Sequence, residues 1–172
     1  MSAIQKELKQ GRPFGSKAAE GLVGLLRTTD LVKRVLSSVV ETRGITLQQY
    51  NVLRILRGAG ASGLPTLEIG QRMIERSPGV TRLLDRLEGK RLVRRRRCPE
   101  DRRQVLCWIA PAGLEALVDL EAPLVRASGA LLGRLGDART SRLIHLLDDV
   151  RAAARSAAPP RESRIRHKEN KE

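Results

Sequence analysis

"LVRRRRCPEDRRQVLCWIA" runs from Leu92 to Ala110. Leu92 and Val93 open it, six arginines crowd its middle, and Val105, Cys107 and Ile109 alternate with Gln104, Leu106 and Trp108 as it closes. Alternation with a period of two marks a β-strand, and "CPEDRR" carries the Pro and Asp of a turn. The stretch reads as a β-hairpin with arginines on its arms and tip. Like charges packed so closely repel one another, so the clustering implies a polyanionic partner that offsets the repulsion.

Immediately before the hairpin, Ser77 and Pro78 give a helix-start signal: a capping side chain, then a residue with no N–H to leave unpaired in the first turn. In "PGVTRLLDRLEGK", Val80, Leu83, Leu84 and Leu87 stand at i, i+3, i+4 and i+7 and form one apolar stripe. At about 100° per residue, Arg82 points almost opposite that stripe, with Asp85 to one side and Arg86 to the other. Further back, "TLEIGQRM" is a short helix with Thr66 near its start. Gly70 lies on its inner side, where a neighbouring helix can approach closely. "AGASGLP" reads as a turn. The helix "LQQYNVLRILRG" is capped by Thr46 and lines up Leu47, Tyr50, Leu53 and Leu56. A long helix runs from its cap, Ser16, to about Thr42, and Gly44 stops it. Beyond the hairpin, two more helices follow Pro111, the first kinked by Pro123.

The 172-residue chain carries 33 Lys and Arg against 19 Asp and Glu, a net charge of +14 that attracts nucleic acid or an anionic surface. Aromatics are 2% of the sequence, which argues against a binder that stacks unpaired bases. Duplex DNA, held through phosphates and groove insertion, fits better. Cys98 and Cys107 have no zinc-type spacing, and no Ser/His/Asp or phosphate-loop pattern occurs, so neither an enzyme, a metal site nor a cofactor is expected. His145 reads as a helix residue. No apolar run approaches the ~20 residues of a membrane span and no signal peptide opens the chain, so a cytoplasmic protein without a membrane partner is expected.

Four helices, the last of recognition type, then an arginine-tipped hairpin and two more helices make a mainly α fold with a small β-hairpin wing. This is a winged helix-turn-helix with flanking helices. The major groove admits one helix, and the helix from Ser77 would enter it N-terminus first, where free N–H groups favour phosphate. A hairpin beside it reaches the next minor groove, whose narrow, electronegative floor accepts an arginine.

From Ile45 to Leu117 the sequence resembles the MarR family of bacterial transcriptional regulators, through "ITLQQYNVLRIL", "VTRLLDRLEGKRLVRR" and "CPEDRRQVLCWIAPAGLEAL" in that order. The resemblance implies a homodimer whose terminal helices interlace, each subunit presenting a winged helix to a pseudo-palindromic operator. It also implies an effector pocket between the dimer helices and the DNA-binding lobe, here walled by aliphatic residues that do not specify a ligand. Thr81 and Arg82 match major-groove contacts. Asp101 and Arg103 match the wing's Asp-x-Arg signature, in which the aspartate orients the arginine that enters the minor groove. Ser77, Arg86, Arg95, Arg97 and Arg102 complete the candidate DNA-binding set, with Arg95 and Arg97 as phosphate contacts.

The sequence departs from the family at "SPG", which offers no side-chain hydrogen bonds from Pro78 and Gly79 at the helix start, and at Arg91, which must take the turn where glycine is common or shift it. Plainer alternatives stand beside these roles: Arg82 pairing with Asp85, Asp101 serving only the turn, and half the wing arginines merely solvated. Cys98 and Cys107 read as structural and, depending on register, as facing each other across the hairpin.

The expected organisation is a flexible basic arm over 1–15, helical dimerisation regions over 16–44 and 111–155, the DNA-binding domain over 45–110 and a disordered basic tail over 156–172. The expected function is a homodimeric, sequence-specific regulator of transcription acting as a ligand-relieved repressor. The alternative is a sequence-tolerant, chromosome-associated DNA binder.

Overall fold

A computed structural model describes residues 1–75, 79–99, 101 and 103–157. It divides into two units, Met1–Leu131 and the segment from Leu132 onward. The first contains α1 (Ala3–Glu7), α2 (Lys17–Glu41), α3 (Leu47–Ala59), β1 (Leu64–Pro65), α4 (Thr66–Arg72), α5 (Val80–Gly89), β2 (Val93–Arg97), β3 (Val105–Ile109) and nearly all of α6 (Pro111–Leu132). The second is built on α7 (Gly136–Ala157).

Local chemistry sets most of these limits. The Ser16 hydroxyl accepts from the Ala19 N–H at 3.1 Å and starts α2. Thr46 and Gln49 exchange side-chain-to-backbone bonds in a capping box that starts α3. α5 ends where Arg91 takes φ 59°, donating its N–H to the Glu88 carbonyl while Leu92 donates to that of Leu87. Glycine is the low-strain residue for such a C-terminal cap, so Arg91 carries a backbone cost here.

The α5 stripe is the centre of the core. Val80, Leu83, Leu84 and Leu87 are buried, and they pack with Val40, Ile45, Val52, Leu53, Leu56, Ile69 and Val93 in one cluster. Each fully buried aliphatic side chain contributes about 1.5–3 kcal/mol, so this cluster fixes how α5 sits on α3 and α4. A Cβ on Gly70 would stand 3.3 Å from Val80 Cγ2, so glycine lets α4 and α5 approach closely there.

The sheet is antiparallel, in the order β1-β3-β2. Its β2–β3 ladder is the expected hairpin. β1 is an addition to the reading of "AGASGLP" as a turn: Leu64 pairs with Cys107 and Pro65 with Leu106. Proline is tolerated there because β1 is an edge strand.

Other expectations need correcting. Cys98 lies opposite Gln104, and Cys107 lies opposite Arg95. Three ladder positions, roughly 10 Å at the rise of a strand, separate the cysteines, which do not face each other. Within the segment expected as a flexible arm, Ser2 and Gln5 form a capping box that starts α1, and Glu7 binds Arg27 of α2 at 2.7 Å. α5 is described from Val80, capped at Gly79, rather than from Pro78; the proposed cap Ser77 lies outside the described residues. α7 continues through Ala157, two residues into the span expected as tail.

Candidate nucleic-acid interface

Thr81 and Arg82 occupy the second and third positions of α5 and are exposed, as is Arg86 one turn on. Burial of the stripe on one side of the helix turns these residues outward. Arg82 makes no ion pair among the described residues. Its expected alternative partner, Asp85, is taken by Arg95 at 2.8 Å. The approach to α5 is held from two sides. Glu75, just before it, binds Lys33 of α2 and accepts from Gln48 of α3 at 3.3 Å. The Ile74 N–H donates to Asn51 Oδ1 at 2.9 Å. Lys33 first, then Gln48, hold the Glu75 carboxyl below its ordinary range.

At the wing tip, Asp101 Oδ1 accepts from the Arg103 backbone N–H at 3.0 Å and from Arg103 Nε at 3.2 Å. Its other oxygen accepts from Gln104 Nε2 at 3.1 Å. The Arg103 N–H first, then the Gln104 and Arg103 side chains, keep Asp101 below the usual aspartate range. The carboxylate thus both shapes the turn and restrains the arginine, whose side chain is 93% exposed. Arg102 lies outside the described residues.

Strand alternation separates the four consecutive arginines. Arg94 and Arg96 share one face with Trp108, and the Arg94 guanidinium lies 5.4 Å from the Trp108 ring centroid. The indole N–H donates to the Ala61 carbonyl at 2.9 Å, and a Cβ on Gly63 (φ 67°) would collide with the ring. Arg95 and Arg97 share the other face. Arg97 is exposed near the tip. Arg95 is 21% exposed, with Nε 2.9 Å and Nη2 2.5 Å from Glu88 Oε2. Glu88, and less strongly Asp85, raise its pKa against the opposing effect of burial.

The carboxylate partners of Arg95 escaped the sequence reading. One signal was there: Asp85 and Glu88 are three residues apart, beside the apolar stripe. An open cleft of about 790 Å³ lies between the wing and the starts of α4 and α5, bordered by Thr66, Glu68, Thr81, Arg95 and Arg103 among others. Burial pushes the Cys107 thiol up, and Cys98 is half-buried. His145 is an exposed residue of α7. Among the described residues, no cluster of His, Cys, Asp or Glu is suited to a metal, and no helix is long and apolar enough to cross a membrane.

A helical core that turns the first turn of α5 outward, beside an arginine-tipped hairpin, defines a winged helix-turn-helix protein. The model of the MarR family matches residues 45–105. A MarR transcription factor from Planctomyces limnophilus is 38% identical, the match covering 79% of this chain and 98% of that one with a TM-score of 0.63. The chain belongs to the MarR family, whose members are DNA-binding regulators of transcription and not enzymes. The Staphylococcus aureus MepR–DNA complex shares the fold at 21% identity, with a TM-score of 0.69 over 75% of this chain and 95% of that one. A Thauera aromatica protein proposed to regulate the hcr operon is 29% identical over 110 residues, 64% of this chain. The match spans 65% of that relative's length, under two thirds.

Proposed function

We propose that this protein is a cytoplasmic, homodimeric repressor that binds a pseudo-palindromic operator in duplex DNA and is released by a small molecule. The observation that carries the reading is the pair of candidate readers on one lobe: Thr81 and Arg82 exposed on the first turn of α5, and Arg103 restrained by Asp101 at the wing tip. A net charge of +14 supplies the sequence-independent attraction, and the two readers supply selectivity. The fold shared with MepR, which is seen bound to DNA, supports the same use.

Dimerisation is supported by apolar surface that a single chain leaves open. Leu22 and Leu26 on α2, Val118 and Val125 on α6, and Ile144 and Leu146 on α7 are each more than half exposed. Large aliphatic side chains left this exposed on α2 and α6, and separately on α7, are apolar surface that a second copy can cover. Val40, near the end of α2, is by contrast fully buried in the chain's own core. Sedimentation at low micromolar concentration gives a dimer on this reading.

Selection of bound duplexes from a random pool tests the function. The expected product is a palindrome with half-site centres about one helical turn apart, protected as a single footprint against competitor DNA. No enriched motif, with broad coating of any duplex, is the outcome of a sequence-tolerant chromosome-associated protein and overturns the operator reading.

A further inference from the structure

We propose that Arg95 is a positioning residue: it ties the wing to α5 through Asp85 and Glu88, and so fixes the spacing between the bases read by α5 and the minor-groove step read by Arg103. This rests on the operator reading above and removes Arg95 from the phosphate contacts to which its place in an arginine run first assigns it.

The geometry sets Arg95 apart from the neighbouring arginines: its side chain is 21% exposed, between the carboxylates of Asp85 and Glu88, which are 53% and 41% exposed. Arg95 sits opposite the fully buried Cys107. Its Nε and Nη2 both reach Glu88 Oε2, and Nη2 also lies 2.8 Å from Asp85 Oδ1. With these two nitrogens on carboxylates of α5, the planar guanidinium acts as a fork between helix and strand. The two acids need an explanation as well. On a helix facing a phosphate backbone, unneutralised carboxylates oppose binding. Arg95 neutralises them locally and makes them part of the joint.

Leverage makes the joint consequential. Of the hairpin's strand residues only Val93 and Cys107 are buried in the core; Val105, opposite Arg97, packs against it half-buried, and Arg96 and Arg97 are exposed. From Arg95 to the start of the turn at Cys98 the wing extends roughly 10 Å at the strand rise. A tilt of about 20° there displaces the end of the ladder by roughly 3 Å, close to the spacing of successive base pairs along DNA. A loosened root therefore blurs the wing's register by about one step without unfolding anything.

The test uses the duplex recovered by selection and copies with one base pair inserted or deleted between the α5 core and the flanking A·T step. Wild type should prefer the recovered duplex over the shifted copies by on the order of tenfold. In Asp85→Asn/Glu88→Gln, that preference should fall to about twofold, while binding to scrambled duplex holds or tightens because two negative charges are gone. Arg95→Lys should keep part of the preference and Arg95→Gln little. A phosphate contact gives the opposite pattern. Arg95→Gln would then weaken every duplex alike and lower the salt slope by about 1, and the carboxylate variant, freeing Arg95, would tighten every duplex with spacing preference intact. That result overturns the proposal.

Hydrogen exchange in DNA-free protein separates the two readings. The joint predicts exchange on the order of tenfold faster at β2–β3 amides in the carboxylate variant, with α3 and α5 unchanged. Unchanged hairpin exchange rejects the joint even if an operator is found; faster hairpin exchange without a recovered operator rejects only the operator reading.

Discussion

Arg95 and Arg103 belong to the same hairpin and meet opposite surroundings. At the root, Arg95 is 21% exposed and held by two carboxylates of α5. At the tip, Arg103 is 93% exposed and restrained by one carboxylate two residues away. The root spends its charge inside the protein; the tip keeps its charge available. A dense run of arginines is thus not one functional unit. Alternation along the strand and distance from the core divide it into a structural part and a presenting part. The same division predicts that damage at the root appears in stability and register, and damage at the tip appears in DNA binding with the stability of the fold intact.

The largest expected effect is at the root. A Cβ on Gly113, at the start of α6, would overlap the Leu92 carbonyl and the Ile109 side chain, both at the hairpin base. Backbone cannot yield cheaply, so Gly113→Ala should lower unfolding free energy by about 3 kcal/mol, measured by denaturant titration. A change under about 0.5 kcal/mol would show the root to be far softer than described. Next comes the helix. Arg82→Ala should lose about 1–3 kcal/mol of discrimination at fixed half-site positions with fold stability intact; equal weakening of recovered and scrambled duplexes would make Arg82 a phosphate contact.

Arg97 tests the presenting part more gently. It is exposed and one alternation beyond Arg95, so Arg97→Ala should weaken all sequences alike and lower the salt slope by about 1. An unchanged slope would make Arg97 a solvated bystander. The smallest effect is acid loosening of the tip. Asp101 titrates below its ordinary value in the folded wing. Its contribution to tip order is therefore fully present above the unfolded aspartate value and is lost as pH falls through the lower folded one. The Arg103 and Gln104 amide signals should stay constant from neutral pH into the ordinary aspartate range and move only below it. Movement within or above that range would mean the hydrogen bonds at Asp101 are not made.

Much of this was legible in the sequence because it is local. Ser16 and Thr46 announce their helices through capping chemistry, the α5 stripe declares its buried face by spacing, and the alternation after Gln104 gives β3. The Ser2–Gln5 capping box was equally local, but the Gly and Pro cluster behind it outweighed it. What stayed hidden depends on partners distant in sequence. Two residues of β1 carry no period of their own and become a strand only against Cys107 and Leu106. Arg95 looks like its neighbours until the packing of α5 brings Asp85 and Glu88 to it. Asp101 and Arg103 were paired by the resemblance to the MarR wing's Asp-x-Arg signature, whereas the hairpin register that separates Cys98 from Cys107 is set by the ladder itself.

The most direct measurement is a hydroxyl-radical footprint of wild type and Arg103→Ala on the selected duplex. Arg103 at a restrained, outward tip predicts minor-groove protection on both flanks of the site in wild type, lost in Arg103→Ala, with protection at the α5 half-sites retained once protein is added to saturation. Identical footprints for the two proteins would contradict the assignment of the wing tip as a DNA reader, and with it the division between root and tip.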